Sequence, residues 1–174
     1  MAILHIPDQN RTLETAEAIR GFLAERGVTY ERWEASVEFA PDAEQETVLA
    51  AYQHRLGPFM ERGGYRAADV ICIHPELPNL AQLDAKFRQE HTHTEDEIRF
   101  FVDGEGYFWF NLGDGDPVFY VKCVAGDMIS VPAGSRHWFE TGPKRYVKCI
   151  RVFTDTSGWT PHYTPDPVHE SYSL

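Results

Sequence analysis

Cysteine is scarce in this chain: three in 174 residues, Cys72, Cys123 and Cys149. An odd number at wide spacing excludes a disulfide framework and fits a reducing cytoplasm, with Cys123 and Cys149 as buried thiols inside apolar strand runs. No apolar run is long enough to cross a bilayer, and Met1-Ala-Ile-Leu-His-Ile-Pro-Asp8 lacks the basic start and long apolar core of a signal peptide. Basic residues are also few, 16 against 27 acidic, for a net charge of -11. Nucleic acid and anionic membrane both need a basic face, so neither is an expected partner. Internal repeats, low-complexity segments and a linker dividing two domains are all missing. With 43% hydrophobic residues, the chain is expected to form one compact domain.

Two clusters carry the chemistry. His91-Thr-His93-Thr-Glu-Asp-Glu97 brings two imidazoles and a carboxylate within seven residues. Gly126-Asp-Met-Ile-Ser-Val-Pro132-Ala-Gly134-Ser-Arg-His137 supplies a third imidazole from a separate turn. Three neutral nitrogens and one anionic oxygen suit iron, nickel, manganese or zinc, and the lack of cysteine argues against a closed structural zinc site. Four protein ligands on a six-coordinate ion leave two adjacent positions for a chelating substrate. In a strand, residues two apart share a face, so His91 and His93 project together. Glu97 returns to that face if the strand runs on without a bulge. The same phase carries Arg99 and Phe101 inward and Phe100 outward. His5, His54, His74, His162 and His169 have no partner spacing and are not expected to be ligands.

Periodicity predicts short strands at 3–6 and 28–33, helices at 12–26 and 43–56 (ended by Gly57-Pro58), a strand at 68–74 and a helix at 80–89. Repeated short strands follow at 97–102, 107–111, 118–124, 128–131, 137–140 and 146–153. Their breaks carry turn residues, among them Asp103-Gly-Glu-Gly106 and Gly113-Asp-Gly-Asp-Pro117. Such strands suggest a small barrel or double-sheet jelly roll. The expected layout is a single domain over 1–174. It comprises a helix-and-strand part (1–90) packed on the barrel, a metal-binding barrel core (91–154) and an extended tail (155–174).

His91, His93, Glu97 and Gly104 match the first motif of the cupin superfamily, with Ala85 where a leading glycine is usual. Gly126, Pro132, Gly134 and His137 match the second, with Thr141 in place of its final asparagine. More narrowly, the chain resembles the acireductone dioxygenase family over nearly its whole length. The matching segments are Tyr30-Glu-Arg-Trp33, His91 to Phe100, Val131 to Phe139, Lys148 to Phe153 and Gly158-Trp159. The Glu97-Ile-Arg-Phe100 run is the most specific of them.

That resemblance implies a mainly β fold with peripheral helices: a cupin double-stranded β-helix, or jelly-roll barrel, preceded by a helical N-terminal segment. It implies His91, His93, Glu97 and His137 as metal ligands and Fe2+ or Ni2+, one per chain, with no organic cofactor. Arg99 is implied as catalytic and substrate-binding, with Phe100, Phe139, Arg151 and Trp159 around the substrate. The implied partners are a small acireductone and O2, acted on by a cytoplasmic monomer. Glu95 and Asp96 are candidates for the base that takes the enediol proton, but solvated strand-end charges are the better explanation of each. A flavonol- or oxalate-directed cupin and a non-catalytic metal-binding cupin are the alternatives. Oxygen uptake with an acireductone and with a flavonol separates them.

Overall fold

The computed structural model describes residues 1–155 and 159–174. In chain order its elements are β1 (Ile3–Ile6), β2 (Arg11–Leu13), α1 (Ala16–Ala24), β3 (Thr29–Arg32), α2 (Gln45–Gly63), β4 (Ala67–Ile73) and α3 (Leu80–Arg88). They continue with β5 (His91–Thr92), β6 (Glu97–Phe110), β7 (Phe119–Val124), β8 (Asp127–Val131), β9 (His137–Glu140), β10 (Val147–Phe153) and β11 (His162–Tyr163). All strand pairs are antiparallel. One sheet runs β11-β5-β9-β6-β7-β1-β2, and the other runs β3-β8-β6-β10-β4. Four strands that precede residue 90 thus extend the two sheets, so the barrel is not built from 91–154 alone.

β6 belongs to both sheets. Its first half pairs with β8 and β10, and its second half pairs with β7 and β9. Two strands joined by a turn are expected here; one bent strand of 14 residues is found. The bend lies at Gly104, where φ is +73° and a Cβ would stand 2.2 Å from the Tyr146 carbonyl oxygen. The register against β10 slips beside it, between Lys148 and Cys149. A left-handed glycine serves a bulge as well as a hairpin, which is why turn chemistry alone misleads.

Two helix boundaries also differ from expectation. Residues 11–13 pair with β1, and α1 starts only after Thr15, whose side chain accepts a hydrogen bond from the Ala18 N–H at 3.2 Å. That is N-cap chemistry, and it outweighs the apolar stripe that runs back to Leu13. α2 continues through Pro58 and stops at Gly64, where φ is +72°. Pro58 deprives the His54 carbonyl of its helical partner. Both residues are exposed, so water can replace the bond.

Three apolar clusters follow from this arrangement among the described residues, the smallest around Trp109 and Trp138. Phe101, Phe108, Phe110, Ile129, Val131, Phe139 and Cys149 fill the space between the sheets. Val48, Tyr52 and Leu56 of α2 cover the outer face of the second sheet with Ile98, Phe100, Met128 and Ile150. The resemblance places Phe100 at the substrate, and the strand phase puts it elsewhere. β6 pairs regularly over Glu97–Phe101, so Phe100 points out of the barrel. Its ring lies 5.0 Å from Trp33 and 4.9 Å from Tyr52, and it is fully buried. Phe100→Ala should therefore cost about 3–5 kcal/mol in urea unfolding, the usual cost of an emptied aromatic site, while metal affinity stays unchanged. A stable variant with weakened metal binding would contradict this assignment.

Candidate metal centre

The four candidate ligands converge by a different route from an unbroken strand. β5 spans only His91 and Thr92, and residues 93–96 form a turn before β6 begins at Glu97. This turn is fastened to the one that precedes His137. The Gly134 N–H donates to the His93 carbonyl at 2.9 Å, and the Ala133 N–H donates to Asp96 Oδ1 at 3.0 Å. Asp96 Oδ2 also accepts from the Tyr65 hydroxyl at 3.4 Å. Asp96 is therefore a turn staple in this arrangement. His91 is the direct cross-strand partner of His137, and Glu97 stands opposite Val131 on β8.

One ligand atom from each of His91, His93, Glu97 and His137 lies within 4.8 Å of the others, and all four residues are buried. No other such cluster occurs among the described residues. The Nδ1 atoms of His91 and His137 face the backbone carbonyls of Gln89 and Ser135, at 2.7 and 2.9 Å. A carbonyl can only accept, so it holds a proton on Nδ1 and makes Nε2 the nitrogen that would bind a metal.

Electrostatics complete the donor set. Burial, with help from neighbouring His137, pushes the His91 imidazole down to about 4 against the accepting Gln89 carbonyl. Burial alone would raise the Glu97 carboxyl. The Arg99 guanidinium and hydrogen bonds from His137 and His93 outweigh it and hold Glu97 well below the usual carboxylate range. One anion beside a neutral imidazole at pH 7 is what a divalent first-row ion requires. With such an ion between them, Glu97 Oε2 and His137 Nε2, now 2.7 Å apart, would be ligands instead of hydrogen-bond partners.

The depressed His91 value makes a stability prediction for the metal-free protein. The unfolded chain takes up a proton below about 6.5 that the folded chain refuses until about 4. Stability from this group is complete above pH 6.5 and is lost as the pH falls towards 4, by up to about 3 kcal/mol. Urea unfolding of metal-free wild type and His91→Gln at pH 7.5 and 4.5 measures it. The variant should show a drop smaller by roughly that amount, and equal drops would remove His91 as the cause.

A cavity of about 450 Å³ opens onto His91 and His93 and is lined by Arg99, Arg151 and Trp159 among others. The Arg99 Nε atom donates to Glu97 Oε1 at 2.7 Å, while its buried Nη1 has no hydrogen-bond partner among the described residues. Trp159 lies 6.1 Å from the His93 ring. Phe139 is not a wall of the cavity. Its ring supports Arg99 from behind at 4.8 Å, in space that exists because residue 106 is glycine; a Cβ there would stand 2.4 Å from Phe139. Phe100, as described, lies on the opposite face of β6. Lys86 and Phe87 at the end of α3, and Thr160, Pro161 and Tyr163 from the tail, also line the cavity. Sequence reasoning missed these. The helical phase of α3 could have found the first two, but nothing in the tail pattern places it over the barrel mouth. Gly158 lies outside the described residues.

Comparison with known proteins agrees with this geometry. Residues 6–161 match the model of the ARD/ARD' family. The chain is 49% identical over 172 residues to an acireductone dioxygenase of Picosynechococcus sp., covering 99% of this chain and 97% of the relative. It is 46% identical over 159 residues to one of Granulibacter bethesdensis, covering 91% and 88%. Among solved structures, an acireductone dioxygenase from Bacillus anthracis with a cadmium ion in its active centre superposes with a TM-score of 0.87 at 36% identity, over 94% of this chain and 98% of that one. A buried His3Glu cluster at the mouth of a double-sheet barrel, in a chain that matches along nearly its full length, belongs to the ARD/ARD' family of metal-dependent dioxygenases.

Proposed function

We propose that this chain is an acireductone dioxygenase of methionine salvage, acting on 1,2-dihydroxy-5-(methylthio)pent-1-en-3-one and O2. His91, His93, Glu97 and His137 would hold one Fe2+ or Ni2+. When bound, the ion would supply Lewis acidity that favours the enediolate and its reaction with O2. All other work falls to the chain. Arg99 and Arg151 carry permanent positive charge at the cavity and favour the deprotonated enediolate. Trp159, Phe87 and Pro161 offer apolar surface to the methylthio end and keep water from the reacting carbons. Electrons come from the substrate itself, so no organic cofactor is needed. All four ligands and both arginines come from one chain, so a monomer would be sufficient for the reaction.

The observation that carries this reading is the shared carboxylate. Glu97 places Oε2 towards His93 and His137 and Oε1 on Arg99, so one residue would hold a metal and a cationic substrate contact side by side. The test is oxygen uptake and product analysis after metal-free protein is loaded with one ion at a time. The iron form should give formate and 4-methylthio-2-oxobutanoate, and the nickel form formate, carbon monoxide and 3-methylthiopropanoate. Oxygen uptake with a flavonol and none with the acireductone would overturn the reading.

A further inference from the structure

Arg151 does not stand alone in the cavity wall. On β10 it is the direct cross-strand partner of Arg99 on β6 and, on its other side, of Asp69 on edge strand β4. Two like charges opposite each other on adjacent strands repel. Each arginine is pinned by its own carboxylate: Arg99 by Glu97, and Arg151 by Asp69. The second pair is two-pronged. Arg151 Nε donates to Asp69 Oδ1 at 2.7 Å, and Nη2 donates to Oδ2. Such a fork fixes the plane of the guanidinium, which a single contact cannot do. In that plane Arg151 lies 4.7 Å over the Trp159 ring, and Arg99 lies 5.8 Å from the same ring. Both members of the pair are partly exposed, so its worth as a surface salt bridge is small. Its consequence is orientation.

We propose that Asp69 is a positioning residue, acting through Arg151, that sets the outer cationic wall of the substrate cavity for an anionic enediolate. Asp69 does not reach the metal ligands and does not line the cavity. The proposal rests on the reading that Arg151 faces substrate. Loss of the fork lets the guanidinium rotate away from Trp159 and weakens binding, while the reacting centre at Glu97 and Arg99 is untouched.

The test pairs Asp69→Asn with Arg151→Ala and the double variant, all loaded with the same metal. Asp69→Asn should raise KM about tenfold and leave kcat within about twofold, the signature of lost binding that is equal in ground and transition states. In the Arg151→Ala background the same change should have no further effect on KM. A merely structural role would instead lower the melting temperature and add equally in both backgrounds, which would overturn the proposal, as would an unchanged KM. A second readout does not depend on the identity of the substrate. Phenylglyoxal, which condenses with guanidinium nitrogens, should label Arg151 in Asp69→Asn about tenfold faster than in wild type by peptide mass mapping. Equal labelling rates would overturn the proposal even if no acireductone is turned over. Faster labelling in a protein that does not consume acireductone would uphold Asp69 and discard the substrate assignment.

Discussion

Replacing Glu97 with glutamine should remove the metal and, in the metal-free protein, cost about 3–5 kcal/mol of stability, the usual result of stranding a buried charge. Glu97 is 3% exposed and is the carboxylate bonded to Arg99, itself 4% exposed. Glutamine keeps the shape and loses the charge, so the guanidinium is left buried without its anion. The histidine ligands carry no such second duty. His137→Ala should lose the metal equally but leave the Glu97–Arg99 pair intact and lower metal-free stability less. Metal content per chain and urea unfolding of the metal-free proteins separate the two effects. A double variant, Glu97→Gln with Arg99→Met, sharpens the comparison. It removes the stranded charge and should regain most of the lost stability while remaining metal-poor. If Glu97→Gln is as stable as wild type, the Arg99 cation is compensated elsewhere and the shared-carboxylate account fails.

The legible part of this site was its ligand set, because metal coordination demands rare residue types at short spacing, and His91, His93, Glu97 and His137 satisfy it in the primary sequence. The path between them was not legible. An unbroken strand from 91 to 97 is the simplest geometry that aligns them, yet the chain makes a turn over 93–96 and recovers the alignment through Gly134 and Ala133, 37 or more residues away. Long-range backbone bonds of that kind leave no trace in local periodicity. Phe100 shows the reverse case. Strand phase alone already put it outward, and the resemblance drew it to the substrate; the packing against Trp33 and Tyr52 follows the phase. Helix ends depart from the periodic pattern where one chemical detail outweighs it, as with the Thr15 cap, or where exposure forgives a violation, as with Pro58. Within the tail, Trp159 is legible only through the family resemblance, and Thr160, Pro161 and Tyr163 leave no local signal because long-range bonds bring them there, among them the pairing of β11 with β5 and the Thr164 N–H to the Glu90 carbonyl.

Arg99→Gln should retain the metal and lose turnover by about 10²–10³-fold, the range for deleting one pre-positioned donor to developing charge. The same change should disturb the metal in a specific way. The Arg99 guanidinium is the foremost influence that lowers the Glu97 carboxyl against its burial. Without it the carboxyl titrates higher, protons compete better for Oε2, and the pH at which the metal is half bound should move upward. Arg99→Lys divides these roles. An ammonium at this position keeps the positive charge, so the pH for metal binding should stay close to that of wild type. It lacks the planar fork that can hold Glu97 through Nε and still offer Nη1 to a ligand, so turnover should stay low. Metal titrations across pH, run beside oxygen uptake on the same preparations, measure both quantities. Recovery of turnover by lysine would make Arg99 a source of charge alone. A wild-type rate in Arg99→Gln would remove it from the chemistry and leave the buried Nη1, unpartnered among the described residues, without a purpose.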